Sequence, residues 1–148
     1  LTAKKQANYI EGRLGLIIDG TAREYDKIAR QSNDLKQLGY DTYMVFVNTS
    51  LDVALARNAK RPRKVPEPIL TRSWKAVQSN IGKFSLHFRQ GFIVVDNNDA
   101  KEDVFREVTK RVKSLLRKPV KNGRAREWIK HQLDLKRRNM STNNTNLD

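Results

Sequence analysis

Three short runs of consecutive apolar residues, each followed at once by small polar residues, restrict the fold of this chain. The runs are Leu14–Ile18, Tyr43–Val47 and Phe92–Val95, and a glycine lies shortly before each of them. Continuous rather than alternating apolarity is typical of strands that are covered on both faces, as in a parallel sheet. We therefore predict three parallel strands with polar residues at their carboxyl ends.

Between these runs, apolar residues recur at steps of three and four, which is the period of a helix. The segment Thr49–Asp52 matches a capping signal at the start of one helix, and Pro66 followed by Glu67 is typical of the start of another. Strands that alternate with helices predict parallel strands joined by right-handed crossovers. The predicted order begins with a helix before Leu14, and the helices that follow span residues 22–38, 51–57, 67–84, 102–116 and 123–138.

These elements predict an α/β fold, a parallel sheet with flanking helices, over residues 1–118. A basic helical extension follows over residues 119–138, and the polar segment 139–148 predicts a disordered tail. Three strands make a thin sheet for an independent α/β domain. We therefore expect a further strand to lie outside the 148 residues.

The formal net charge of +14 is concentrated in one part of the chain. Residues 1–56 hold seven basic and seven acidic side chains, whereas residues 57–138 hold 23 basic and eight acidic ones. Such an excess favours a polyanionic partner, and we retain nucleotides and nucleic acids as candidates. A membrane partner is not predicted, because no apolar run approaches ~20 residues and the basic helices lack a strongly apolar second face. The absence of cysteine excludes disulfides and thiolate metal sites.

Polar residues at the predicted strand ends form the first candidate site. They are Asp19-Gly20-Thr21, Asn48-Thr49-Ser50 and Asp96-Asn97-Asn98. Ligands of open parallel sheets gather at the carboxyl ends of the strands. Asp19 directly follows three apolar residues, as a magnesium-holding carboxylate does in phosphate-transferring enzymes. The alternative is that these residues simply end strands and cap helices.

The basic segment 57–66 is the second candidate site. It contains Arg57, Arg61 and Arg63 together with two lysines and two prolines, which favours a loop over a helix interior. Guanidinium groups bind phosphate oxygens in a bidentate way and keep their charge at neutral pH. We predict that the three arginines form a phosphate-facing lid over the strand end at Asp19. A solvated basic loop or a nonspecific nucleic-acid contact is the alternative.

Other catalytic arrangements are missing from these residues. No Gly-x-x-x-x-Gly-Lys-Ser/Thr loop occurs, since Val77 stands where the first glycine would precede Gly82 and Lys83. His87 follows an apolar helical stripe, which favours a residue at a helix end over a ligand, and His131 has no nearby acid–base partner. The sequence therefore gives no support for a serine–histidine or cysteine–histidine mechanism.

The order of the motifs resembles small P-loop kinases of the zeta-toxin and polynucleotide-kinase type, in particular the zeta-toxin-like kinases of tailed bacteriophages. That family carries an apolar strand, Asp, a small residue and Thr, and then an arginine about ten positions on, as in Leu16–Thr21 followed by Arg30. The segment 43–63 resembles the family's next strand and arginine-bearing lid. The segment 92–98 resembles its last core strand and the loop near the nucleotide base, so the resemblance covers about residues 10–118.

The resemblance implies ATP- and Mg²⁺-dependent phosphoryl transfer, with Asp19, Arg57, Arg61 and Arg63 as catalytic residues and Asp19 also as a magnesium ligand. The residues that it implies for nucleotide or substrate binding are Thr21, Arg23, Arg30, Asn48, Asp96, Asn97 and Asn98. The family's first strand and phosphate loop would precede residue 1. We therefore expect a P-loop kinase-like core that lacks these parts and transfers phosphate only when an N-terminal segment or another chain completes it.

A noncatalytic function is the alternative to this kinase hypothesis. A degenerate kinase fold with this basic surface would bind nucleic acid or another protein, as a component of a phage particle. We expect the chain in the cytoplasm, which is the host cytoplasm for a phage protein, with the virion as the alternative location.

Overall fold

A computed structural model describes residues 2–99 and 102–145 of the chain. The helices are α1 (Thr2–Glu11), α2 (Tyr25–Leu38), α3 (Leu51–Ala59), α4 (Glu67–Phe88), α5 (Glu102–Leu116) and α6 (Gly123–Thr145), the strands are β1 (Met44–Asn48) and β2 (Phe92–Asp96), and a single 3₁₀ turn (Arg89–Gly91) precedes β2. Each strand is followed by a helix. The sequence is therefore correctly assigned to the α/β class.

The sheet is a parallel pair in which β1 and β2 are in register from Met44 with Phe92 to Asn48 with Asp96. The chain passes from β1 to β2 through α3 and α4. Parallel strands cannot be joined by a tight turn, so a helical crossover of this kind is required. Two of the three predicted strands are confirmed.

The predicted strand Leu14–Ile18 is wrong. This segment forms no regular secondary structure, and the sheet within the described residues contains only β1 and β2. A strand is stable when a neighbouring strand takes up its backbone N–H and C=O groups, and residues 14–18 pair with neither β1 nor β2. The apolar run is consequently solvated: Ile17 is 102% exposed, and Leu14 and Ile18 are about half exposed.

The core is centred on Phe84 of α4, whose surface is entirely buried. Its ring centroid lies 5.3 Å from that of Tyr25 in α2 and 6.4 Å from that of Phe88. Leu35 of α2 and Phe46 of β1 are also buried. The apolar stripe of α4 therefore joins α2 and the sheet into one core, as its helical spacing predicts.

The capping signals of the sequence are formed in part: Ser50 caps α3, and no hydrogen bond between Thr49 and Asp52 accompanies it within the described residues. Oγ of Ser50 accepts a hydrogen bond from the N–H of Val53 at the start of α3, and α4 begins directly after Pro66. Gly39 ends α2 with a φ of +114°, a left-handed conformation that side chains other than glycine rarely adopt. These signals fix the limits of the helices that surround the sheet.

Helix α6 is longer than the sequence predicts. It continues to Thr145, whereas the sequence predicts a helix that ends at residue 138 and a disordered tail over 139–148. Residues 146–148 of that tail lie outside the described residues. None of the helices in the described part of the chain combines the length and the apolarity needed to cross a bilayer.

The burial of Phe84 gives the first testable prediction. Phe84→Ala should lower the free energy of unfolding by about 3–5 kcal/mol, because it leaves a cavity at the centre of the core. Ile17→Ala, in the exposed apolar run, should change it by no more than about 0.5 kcal/mol. Urea unfolding followed by circular dichroism measures both, and Phe84→Leu provides a milder variant. Equal losses for Phe84→Ala and Ile17→Ala would contradict this description of the core.

Candidate functional site

Hydrogen bonds join the end of β1 and the residues after it to the residues that follow β2. The N–H of Asn97 donates to the carbonyl of Asn48 (2.8 Å), and the N–H of Ser50 donates to Oδ1 of Asn98 (2.7 Å). The pairing of the strands is thereby extended into the loops. Three of the residues that the sequence selects, Asn48, Asn97 and Asn98, come together at the carboxyl ends of both strands.

Asn98 is bonded on several sides at this edge of the sheet. Its N–H donates to Oδ1 of Asp96 (2.9 Å), which forms an Asx turn, and its carbonyl accepts a hydrogen bond from Nη2 of Arg57 (3.0 Å). Arg57 lies half-buried in the last turn of α3. Because a guanidinium is a planar fork of five N–H donors, the bond to Asn98 fixes this side chain without using the whole fork. We call Asn48, Ser50, Arg57 and residues 96–98 the strand-end cluster.

Helix α4 supports the strand-end cluster from one side. Nε1 of Trp74 donates to the carbonyl of Thr49 (2.8 Å), and Nε2 of Gln78 donates to Oδ1 of Asn48 (2.8 Å). Both hydrogen bonds are partly buried. The loop after β1 therefore has a fixed position relative to α4.

Asn80 of α4 holds the segment that follows Asp19 and Thr21. Its Nδ2 donates to the carbonyls of Ala22 (3.3 Å) and Arg23 (2.9 Å), and the Asn80 side chain is buried. Ala22 has a φ of +56°, a left-handed conformation that the two bonds help to maintain. Asp19, Thr21 and Arg23 are exposed beside this point, on a segment attached to the same stretch of α4 as β1.

A resident metal site is not formed by the described residues. No group of three or more His, Asp or Glu side chains there could hold a metal ion. Magnesium in phosphate-transferring sites is bound by one or two carboxylates together with phosphate oxygens and waters. The exposed carboxylate of Asp19 is suited to be one such magnesium ligand, and it does not form a metal site by itself. Arg30 lies on an exposed position of α2, outside the strand-end cluster.

The basic loop after α3 is closed by a buried asparagine. Asn58 donates from Nδ2 to the carbonyl of Val65 (2.7 Å), and its Oδ1 accepts a hydrogen bond from the N–H of Val65 (2.9 Å). Arg61 and Arg63 are exposed in the loop between these two residues. The loop is therefore held against the end of α3. Of the three predicted lid arginines, Arg57 is the one that bonds to Asn98 and belongs to the strand-end cluster.

Four residues that build this region are absent from the sequence-based prediction of the site. Trp74 is assigned to the core by its spacing, and its polar indole N–H is overlooked. Gln78 and Asn80 interrupt the apolar stripe of α4, and Asn58 interrupts the apolar residues of α3. A polar amide within an apolar helix face indicates a buried hydrogen-bond partner, and that signal is available from the sequence.

A family model described as Zeta toxin matches residues 1–110, which is about three quarters of the chain. The match includes Asp19, Arg57 and the whole strand-end cluster, and it leaves out α6. It confirms the resemblance at the level of the family, and the likeness to proteins of tailed bacteriophages stays a prediction. No curated protein and no solved structure matches the chain.

The role of Asn58 gives the second prediction. Asn58→Ala removes both bonds to Val65, so loop 60–65 should open more often and trypsin should cleave after Lys60 and Arg63 about tenfold faster. Mass spectrometry of timed digests under native conditions measures the rates. Asn33→Ala, an exposed change in α2, is the matched control. Equal cleavage rates in both variants would show that Asn58 does not hold the loop.

Proposed function

The chain belongs to the zeta toxin family of kinase-like nucleotide-binding domains, and on this premise we propose that it contributes the strand-end half of an ATP-dependent phosphotransferase site. The phosphate-binding loop of that site would come from a segment outside the 148 residues or from another chain. ATP with Mg²⁺ would be the phosphoryl donor, and the acceptor would be a hydroxyl-bearing substrate.

The observation that carries this proposal is the position of Arg57. Its guanidinium is fixed by the carbonyl of Asn98 at the carboxyl ends of two parallel strands, where ligands of such sheets gather. A half-buried cation that is already ordered stabilises a developing negative charge with little reorganisation. An arginine placed in this way is suited to phosphoryl transfer, in which charge spreads over the oxygens of the transferred group.

The other residues of the site have supporting roles in this proposal. Asp19 would bind the magnesium ion that accompanies ATP, and Thr21 with Arg23 would bind phosphate or substrate beside it. Asn48, Asp96, Asn97 and Asn98 would border the nucleotide. Oδ1 atoms of Asn48, Asp96 and Asn98 already accept hydrogen bonds, and the N–H of Asn97 already donates one, so we assign these residues to shaping the site and holding Arg57. Arg30 remains a candidate for substrate binding.

The source of the phosphate loop can be tested directly. The coding sequence upstream of Leu1 should encode a Gly-x-x-x-x-Gly-Lys-Ser/Thr motif within roughly 60 residues, because that motif binds the phosphates of a nucleoside triphosphate. Its absence there, and from any chain that copurifies with this one, would contradict the catalytic proposal.

The third prediction concerns the three arginines in a chain that includes this loop. Arg57→Ala should lower the rate of phosphate transfer from ATP about 10³-fold or more, as the loss of an arginine finger does. Arg61→Ala and Arg63→Ala should have smaller effects, because both side chains are exposed in the loop. Transfer from radiolabelled ATP measures the rates, and thermal melting of the same variants separates lost activity from lost folding.

Two controls accompany this experiment. Arg126→Ala removes an exposed arginine of α6 and should leave transfer unchanged. The 148-residue chain alone should show no ATP turnover, whereas turnover that Asp19→Ala abolishes would show that no further segment is needed. Normal transfer in all three lid variants would reduce the loop to a solvated basic patch.

A second candidate function is nonspecific nucleic-acid binding by the basic part of the chain. Residues 101–138 hold fourteen basic and five acidic side chains, and the lysines and arginines of α5 and α6 between residues 106 and 138 are exposed. Contacts from such side chains to phosphates supply affinity without sequence preference. This function and phosphotransfer are compatible, since the basic helices lie outside the strand-end cluster.

The fourth prediction tests this second function. Binding of a labelled DNA duplex should weaken steeply with added salt, because each phosphate contact releases counterions. The double variant Lys110→Gln/Lys113→Gln in α5 should reduce the slope of log affinity against log salt by up to about 2. The matched pair Lys4→Gln/Lys5→Gln in α1 should leave the slope unchanged. Binding that does not respond to salt would exclude a phosphate-based interaction.

A further inference from the structure

A second candidate binding site, which we call the second cavity, lies at the opposite end of the sheet from the strand-end cluster. It has a volume of about 590 Å³, and its wall includes Thr42 and Tyr43, just before β1, and Gly91, just before β2. A Cβ atom on Gly91 would lie 3.0 Å from the Tyr43 ring, so the two chain segments approach closely here. The volume is within the range of small-molecule sites.

Four cationic side chains from separate parts of the fold line this cavity. Lys36 comes from the last turn of α2, Arg89 from the turn after α4, and Lys118 and Lys121 from the connection between α5 and α6. Within the part of the chain that the structure describes, none of the four makes an ion pair. Their charges are therefore not neutralised by neighbouring carboxylates in direct contact.

Asp41 is the carboxylate of the cavity wall, and it is already bonded to the backbone. Its Oδ2 accepts a hydrogen bond from the N–H of Lys121 (2.7 Å). Nδ2 of Asn122 donates to the carbonyls of Lys36 (2.7 Å) and Tyr40 (3.2 Å), which holds the same connection against the end of α2. These bonds bring Lys118 and Lys121 to the cavity as part of an ordered segment.

The backbone at Arg89 is strained. This residue has φ +48° and ψ −121°, a conformation that glycine adopts readily and arginine rarely. Residues held in such conformations cluster at binding and catalytic sites, where the surrounding structure maintains them. Glycine would end α4 at this position without strain, so the strain itself gives no reason for an arginine here.

Neutral groups complete the cavity wall. Burial, followed by the charge of Asp41, raises the pKa of Tyr43 above its ordinary value. Burial, followed by the charge of Lys36, lowers the pKa of His87, whose Nε2 lies 3.1 Å from Oγ of Ser32. The wall thus combines four cations with aromatic rings and neutral donors.

We propose that this cavity binds the phosphate groups of a small, multiply charged phosphate compound, at a site separate from the phosphotransferase site. Arginine and lysine both bind phosphate oxygens, and four cations around one carboxylate match a ligand with several negative charges. A volume of about 590 Å³ is within the range of sites that bind small compounds. The proposal does not depend on the strand-end cluster, which lies at the other end of the strands.

Titration of the full 148-residue chain with inorganic tripolyphosphate tests the proposal. Calorimetry should show saturable binding, and the amide signals of Tyr43, Gly91 and Asn122 should shift in nuclear magnetic resonance spectra. Arg89→Gly should weaken the affinity at least tenfold while the melting temperature stays equal or rises, because the strain is relieved. If Arg89 had only a structural role, Arg89→Gly would not weaken the affinity while the melting temperature stays equal or rises.

Arg13→Gly is the matched control, because Arg13 is also a non-glycine residue with positive φ (+54°) and lies outside the cavity wall. It removes the same charge and should leave the affinity for tripolyphosphate within twofold. ATP without magnesium is the second probe. An affinity equal to that of tripolyphosphate identifies the phosphate chain as the recognised group. Tighter binding that shifts the same amide signals shows that the base is recognised as well.

Three results would overturn the proposal. Equal weakening by Arg89→Gly and Arg13→Gly would indicate a general charge effect. Shifts confined to Asn97 and Asn98 would assign the phosphate to the strand-end cluster. Binding of a ten-residue single-stranded oligonucleotide at the cavity, without binding of tripolyphosphate or ATP there, would identify a polymer as its ligand.

Discussion

Parallel hydrogen bonding between β1 and β2 aligns both ends of the two strands, and the strand-end cluster and the second cavity are positioned by that alignment. The register from Met44 with Phe92 to Asn48 with Asp96 brings the loops after the strands to one edge and the turns before them to the other. At one edge the backbone bond between Asn97 and Asn48 continues the pairing. A shift of register would separate the loop that contains Asn98 from Arg57.

Helix α4 transmits this alignment to the rest of the chain. Its apolar stripe inserts Phe84 into the core, while Gln78 and Asn80 bond to β1 and to the segment after Asp19. Buried amides are costly unless they are hydrogen-bonded, so these pairs select one arrangement of the loops. The same helix therefore supplies cohesion through apolar contact and specificity through polar contact.

The excess positive charge has different consequences at different places in the fold. Arg57 is ordered by a backbone carbonyl, and Arg61 and Arg63 are solvated in a loop. The cations of the second cavity come from the last turn of α2, the turn after α4 and the connection between α5 and α6. Each of these side chains carries one positive charge, and the local geometry decides whether an anion contacts one cation or several. Composition alone indicates a polyanionic partner and does not separate these surfaces.

The sequence by itself determined the α/β class, β1, β2, the start of α3 at Ser50 and the start of α4 after Pro66, because each depends on local spacing and capping. It also selected Asn48 and Asn98, since polar residues that end parallel strands share one edge, and Arg57, since it belongs to a cluster of basic residues suited to phosphate. Tertiary structure decided the fate of Leu14–Ile18, which needs a neighbouring strand, and the bonding of Asn80 to the carbonyls of Ala22 and Arg23, which are distant in sequence. It also decided the second cavity, because Lys36, Arg89 and Lys121 are distant in sequence and meet only when the helices pack around the paired strands.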